Sequence, residues 1–199
     1  HVRWADAPVP ILMAAEGPRT LKLAGEIADG VLVHTGLTPD ILRRSISLIR
    51  EGEADAGKPV GSVEIWAFAK CNVANDQETA IQEIKMALAA SGHHAFRYTL
   101  EGKHVPEELH EAVAVLQRDY VPVEHEQLGH TRNATLSDEL GFTDFLADRF
   151  AVVGTPDQCR EKVRGIPEAG VDVLLATAIG PQPDVIIERF GREVAALSG

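Results

Sequence analysis

The spacing of apolar positions changes repeatedly along the chain, and each change marks an element. Ile11 to Ala15 form an apolar run of buried-strand length that breaks at Gly17-Pro18. Beyond the break, Leu21, Ala24 and Ala28 recur at helical spacing, with Leu23 and Ile27 beside them, until Gly30; Val31 to Val33 is a second short apolar run. A strand, tight turn, helix and strand in so few residues predict a βαβ unit with parallel strands. Thr38 then caps a helix with Pro39 and Asp40 in its first turn and Leu42, Ile46 and Ile49 on one face. Residues 63–73 read as a strand apolar on both sides, Val63, Ile65, Ala67 and Ala69 against Trp66 and Phe68. Asn75, with Glu78 three residues later, predicts a capping box for a helix striped by Ile81, Ile84 and Leu88 as far as Ser91-Gly92.

From about residue 92 to 150 the strict alternation lapses. Pro106 to Tyr120 predicts a helix on Leu109, Val113 and Leu116, residues 129–141 read as a polar loop, and 142–147 as a short helical turn. Such an insertion is either a lid or subunit contact, or a partly ordered surface excursion. Alternation then resumes. Residues 150–153 lead into Gly154, and Thr155 to Gln158 form a capping box with Pro156 at the first helical position. Cys159, Val163 and Ile166 face inward and Gly170 stops that helix. Residues 171–177 are a strand, Gly180-Pro181 breaks it, and a last helix runs on Ile186, Phe190, Val194 and Leu197. At the other end, residues 1–8 are a polar lead-in with Trp4 as its anchor.

A chain of 199 residues is most simply one domain with a substantial core. Nineteen Lys and Arg stand against 30 Asp and Glu, a net charge of −11. Without a basic run, nucleic acid is an unexpected partner. No apolar stretch approaches membrane-spanning length, and no leader peptide is visible. Cys71 and Cys159 show neither metal nor redox spacing, so no metal site and a reduced, cytoplasmic setting are expected. The Asn133-Ala134-Thr135 triplet is discounted as a chance glycosylation sequon.

Chemistry concentrates at the first turn. Gly17 lets a ligand approach the backbone, Pro18 suits a first helical position, and the free N–H groups of that helix favour an anion that Arg19 would reinforce. An ordinary strand-to-helix turn explains the same letters. His34 is the histidine placed at a strand's carboxyl end, beside Thr35. It suits hydrogen bonding or acid–base work near neutral pH, although a partly exposed histidine without a role is the plainer reading. His93, His94, His104, His110, His125 and His130 crowd the middle segment without ligand spacing. Motifs of the α/β-hydrolase nucleophile, the Walker loop and the dinucleotide fold are absent.

The pattern A-A-x-G-P-x-x-L-x-L-A-G-x-x-A-D-G-V over residues 14–31 resembles the bacterial luciferase-like superfamily of flavin- or deazaflavin-dependent oxidoreductases. The nearer likeness is to coenzyme F420-dependent methylenetetrahydromethanopterin reductases and FMN monooxygenases. Val153-Gly154-Thr155-Pro156-Asp157 and Ala169 to Leu174 resemble that family's later helix and last strand. The resemblance implies an α/β fold, a (β/α)8 TIM barrel, of which this chain, opening on His1, is expected to be the C-terminal half with about four strands upstream absent. It implies reduced FMN or F420 as cofactor, held by Ala15, Glu16, Gly17, Pro18 and Arg19, with His34 and Thr35 nearby. Glu16 stands where the family often carries a small residue, and a carboxylate beside a phosphate is unfavourable unless it points away. The implied activity is monooxygenation or hydride transfer on a small organic substrate, with a reductase supplying reduced cofactor and a homo-oligomer as the assembly. A non-catalytic flavin-binding relative, or an unrelated barrel enzyme for a phosphorylated metabolite, are the alternatives.

Overall fold

The computed structural model describes residues 8–197. Trp4 and the side chain of Leu197, given packing roles above, lie outside what is described. In chain order the main elements are β1 (Leu12–Ala15), α1 (Pro18–Ile27), β2 (Gly30–Val33), α2 (Pro39–Asp55), β3 (Glu64–Val73), α3 (Gln77–Phe96), α4 (His110–Asp119), α5 (Arg132–Glu139), α6 (Thr143–Phe150), β4 (Ala151–Gly154), α7 (Pro156–Glu168), β5 (Val173–Ala178) and α8 (Pro183–Arg189). Phe190–Val194 continues α8 as a π turn. No described helix is long and apolar enough to cross a membrane.

Every strand pairing is parallel, as short strands joined by helices require. The ten-residue β3 is the hub. Its first half pairs with β2 through residues 64–67 while residues 66–71 pair with β5, so these neighbours occupy opposite edges. Its last four residues outrun β2 and pair with β4, a short strand added beside the main series β1-β2-β3-β5. Among the described residues, β1 and β5 each keep one unpaired edge, with Leu12 and Leu175 exposed there.

Two aspartates set the strand starts. Asp29 accepts from the Ile11 N–H at 2.7 Å and donates its own N–H to the Ile11 carbonyl at 2.9 Å. Asp172 repeats this on Ile65, at 2.8 and 2.9 Å. Lys58, beyond α2, donates to the carbonyls of Gly25 and Ala28, which the end of α1 leaves without intrahelical partners.

Among the described residues two large apolar interiors are buried, beside a small third cluster of Met86, Ala87 and Ala134. One lies between the sheet and the helices α1, α2, α7 and α8, built on residues such as Leu21, Val31, Leu42, Ile49, Ile65 and Ile166. The other belongs to α3–α6, with Leu88, Phe96, Leu116, Phe142, Leu146 and Phe150 at its centre. A fully buried Leu or Phe contributes about 1.5–3 kcal/mol.

The structure departs from the sequence pattern mainly in this second unit. Helix α3 is capped by Asp76, whose carboxylate accepts from the Thr79 N–H at 2.8 Å, not by Asn75. Gly92 does not end it: a Cβ there would lie 2.8 Å from Leu146 Cδ2 and 3.2 Å from Leu116 Cδ2, so the missing side chain admits α4 and α6 instead. The expected polar loop at 129–141 contains α5, capped by Thr131, and the short turn at 142–147 is the full helix α6. In α5 the buried polar Asn133 and Ser137 take places that periodicity assigns to apolar residues; Asn133 pairs with both N–H and carbonyl of Val121. The capping box of α7 forms as its letters predict.

Two buried cations tie this helical unit to the sheet. Arg149 donates Nε–H to the Thr35 carbonyl at 3.0 Å and Nη1–H to that of His104 at 3.3 Å, over the rings of Phe96, Phe145 and Phe150. Burial lowers its pKa to about 10. Lys70 of β3 pairs with Glu126 and lies 4.9 Å from the Phe68 ring centre.

Candidate functional site

Parallel strands present their carboxyl ends together, and here the ends of β1 and β2 open into a cavity of about 550 Å³. Ala14 and Leu32, opposite each other in register, form its floor with Phe68. The first residues past the strands, Glu16 and His34, form its wall. The last turn of α3 and the segment after it close the far side with His94, Arg97, Tyr98 and Lys103. That volume falls within the usual range for small-molecule sites, and the mixture of apolar floor and convergent polar groups is typical of them. A wider groove of about 950 Å³ lies between α2, α3, α6 and α7; it is rich in carboxylates and away from the first turn.

The polar groups converge on one oxygen. Glu16 Oε1 lies 3.1 Å from His34 Nδ1, hydrogen-bonded, and 3.0 Å from His94 Nε2. Arg97 Nη2, which can only donate, lies 3.2 Å from the same His94 nitrogen. His94 Nε2 therefore either accepts from Arg97 or, protonated, donates to Glu16. Burial lowers the His94 pKa, opposed by the Glu16 charge. Lys103, donating to the Arg97 carbonyl at 2.7 Å, is lowered by burial too, again opposed by Glu16. The His34 ring stands edge-on to Phe68 at 4.8 Å and tilted to Phe150 at 5.5 Å; its Nε2 is shut from solvent and has no hydrogen-bond partner among the described residues. Among the described residues, no group of His, Cys, Asp or Glu is placed to hold a metal ion.

The residues singled out from sequence divide in space. Ala15, Glu16, Gly17 and His34 line the cavity. Pro18 and Thr35 face a small adjoining void of about 40 Å³ that Glu16 and Arg149 share, and Thr35 Oγ1 pairs with Ser45 Oγ at 2.8 Å. Arg19 is exposed on α1 and lines neither space. The Gly17 N–H is held by Thr20 Oγ1 at 3.1 Å, and the amides of Arg19 and Thr20 stand in the first turn, where a helix offers no acceptor of its own. Sequence reasoning missed His94, Arg97, Lys103 and Phe68. It ended α3 at Gly92 and so left His94 off the helix that carries it here, with Arg97 capping that helix's end.

An anionic, ring-bearing cofactor passes a steric and an electrostatic test. Gly17 has an ordinary extended backbone, and a Cβ there would meet only Thr20 Oγ1, at 3.5 Å; protein packing does not demand glycine. The Glu16 carboxylate is turned to His34 and His94, and Arg97 and Lys103 stand close by, so the cavity is not a bare anionic surface.

Comparison with known proteins bears on the fold and the family. The sequence model of the family described as luciferase-like monooxygenase matches residues 1–173. The 5,10-methylenetetrahydromethanopterin reductase of Methanopyrus kandleri is 29% identical over 188 residues, covering 94% of this chain and 50% of that protein. The F420-dependent glucose-6-phosphate dehydrogenase of Nocardia farcinica is 26% identical, covering 96% and 48%. The solved coenzyme F420-dependent tetrahydromethanopterin reductase of M. kandleri superposes with a TM-score of 0.63 at 28% identity, covering 96% of this chain and 51% of that one. The chain thus spans about half the length of the curated relatives it matches, and its parallel sheet is of their TIM-barrel kind.

Proposed function

We propose, from the premise that this chain belongs to the luciferase-like monooxygenase family, that it forms part of an oxidoreductase whose strand-end cavity holds coenzyme F420, with a small organic molecule as substrate. The observation that carries the reading is Gly17: its missing side chain leaves open space beside the amides of Arg19 and Thr20, at the positive end of α1. Those amides would take the cofactor's anionic tail, and Ala14, Ala15, Leu32 and Phe68 its ring. The bound deazaflavin would supply hydride transfer. The chain's own share is to lay Phe68 against the ring, to balance charge with Arg97 and Lys103, and to present His34 at the wall. The relatives named above support F420 over FMN.

FMN, with monooxygenation as the reaction and a separate reductase supplying reduced flavin, is the second reading, favoured by the family's own description. A homo-oligomer is the assembly we propose. Titration of the protein with F420 and with FMN, followed by cofactor fluorescence, tests the assignment. Saturable binding of F420 that weakens in Gly17→Val is expected; binding of FMN alone would move the assignment to the second reading, and binding of neither would overturn both.

A further inference from the structure

We propose that His94 is a pH-operated latch on Arg97. Neutral, its Nε2 holds the guanidinium; protonated, it pairs with Glu16 and releases Arg97 to an anionic group, phosphate or carboxylate, of a molecule bound in the strand-end cavity. The ligand's part in this rests on the reading of the cavity given above.

One nitrogen here has two partners that it cannot serve together. Arg97 Nη2 lies 3.2 Å from His94 Nε2 in hydrogen-bond alignment, and Glu16 Oε1 lies 3.0 Å away, at ion-pair distance. A guanidinium only donates and an ionised carboxylate only accepts, so the first contact needs a lone pair on Nε2 and the second a proton. The aligned contact is the one to Arg97, which puts the neutral ring's proton on Nδ1. Protonation removes the lone pair and sets an imidazolium against the guanidinium, while Glu16 draws it. The charges around the ring come from several elements. Glu16 follows β1, and His34 follows β2 with its ring stacked on that of His94 at 6.1 Å. Arg97 caps α3, Lys103 lies between α3 and α4, and His125 between α4 and α5. Glu16 is the anion of this set. Burial first, then the charges of Arg97, His34 and His125, hold the His94 pKa below the ordinary 6.5 against the pull of Glu16, so the latch opens in mild acid. Arg97 is exposed and lines the cavity, and the His94 side chain is 45% exposed, so proton and ligand have access to both.

Histidine 15N spectra and the Arg97 side-chain N–H signals, followed with pH, test the latch. In the wild type the neutral His94 ring is expected to carry its proton on Nδ1, and the Arg97 signals to shift with the same midpoint as His94. Glu16→Gln should move that midpoint down by removing the attracting charge, and Arg97→Ala should move it up by removing the repelling one. Sulfate, whose own charge is constant across this range, serves as the anion. Its affinity should rise about fivefold from about pH 8 to about pH 5 in the wild type. His94→Gln, whose amide oxygen accepts from Arg97 at every pH, should keep the low value throughout, and Arg97→Ala should lose the gain. A neutral-ring proton on Nε2, Arg97 signals that ignore the His94 titration, no rise in sulfate affinity, or a rise that survives Arg97→Ala would each overturn the latch. Failure of the cofactor reading shows separately, as absence of F420 binding to the wild-type protein while the His94 and Arg97 titrations stay coupled.

Discussion

Gly25 of α1 and Gly52 of α2 meet backbone to backbone. A Cβ built on Gly25 would fall 2.0 Å from the Ile49 carbonyl oxygen, and one on Gly52 would fall 1.9 Å from that of Lys22. The two helices that flank the first strands can approach this closely because neither carries a side chain at the crossing. Helix propensity alone would favour alanine by about 1 kcal/mol. The clash is with backbone that cannot rotate away, so Gly25→Ala and Gly52→Ala should each destabilise by about 3 kcal/mol or more. Urea unfolding measures this, and a loss below about 1 kcal/mol would contradict the crossing.

Gly17 differs from that pair because nothing in the protein crowds it. Gly17→Val should leave stability within about 1 kcal/mol, the scale of a changed N-cap, yet weaken cofactor binding tenfold or more, an effect of about 1.4 kcal/mol. Parallel thermal melts and binding titrations separate the two effects. Equal cofactor affinity in the variant would show that the turn is not the cradle.

Arg149 joins the end of β2 to the helical unit. Arg149→Leu leaves the Thr35 and His104 carbonyls without this donor and should destabilise by about 1–3 kcal/mol. Arg149→Lys should recover little of this loss, since a lysine lacks the planar fork that spans two carbonyls over aromatic faces. Full recovery in the lysine variant would mean that charge alone matters there.

Acid should weaken the protein through Glu53. Its side chain is fully buried and accepts from the N–H groups of Gly61 at 2.7 Å and Val63 at 2.6 Å, and from Arg50 at 2.9 Å. Burial acts to raise its pKa; these hydrogen bonds and the Arg50 charge outweigh it, leaving the value below the ordinary 4.5. A depressed native pKa means that the folded state binds the proton less readily than the unfolded chain. The stabilisation is complete above 4.5 and disappears as pH falls through the native value. Glu53→Gln should flatten stability against pH in that acidic window while costing about 1–3 kcal/mol at neutral pH. Urea unfolding at a series of pH values distinguishes the two curves.

Both cysteines should be inert in the folded protein. Burial pushes the Cys71 thiol up to about 12 and that of Cys159 to about 11. Without thiolate there is no nucleophile, so iodoacetamide should label neither until denaturant is added. Labelling of the native protein would require an opening that these buried positions do not show.

Much of the fold was legible because its rules are local. The turn at Gly17-Pro18, the strands around Val31 and Ile65, and the capping box at Thr155 follow from period, proline geometry and cap chemistry, and they stand where those rules put them. The part that was hidden depends on contacts between distant residues. Gly92 reads as a stop until Leu116 and Leu146 are seen against it, and Asn133 reads as loop until Val121 is seen to use both ends of its amide. The same limit governed the site. His34 could be placed from its own strand, but Glu16 was an oddity beside a phosphate turn until two histidines, one of them on a helix extending past its expected end, were found around it.

The helices α3–α6 bury an interior of their own. That makes the cavity a composite of two packing units. Its floor is bound into the sheet, where any change disturbs strand register. The opposite wall hangs on a separately packed unit, joined through anchors such as Arg149 and Lys70. Replacements at Arg97, Tyr98 or Lys103 can therefore reshape that wall without disturbing the strand register beneath it.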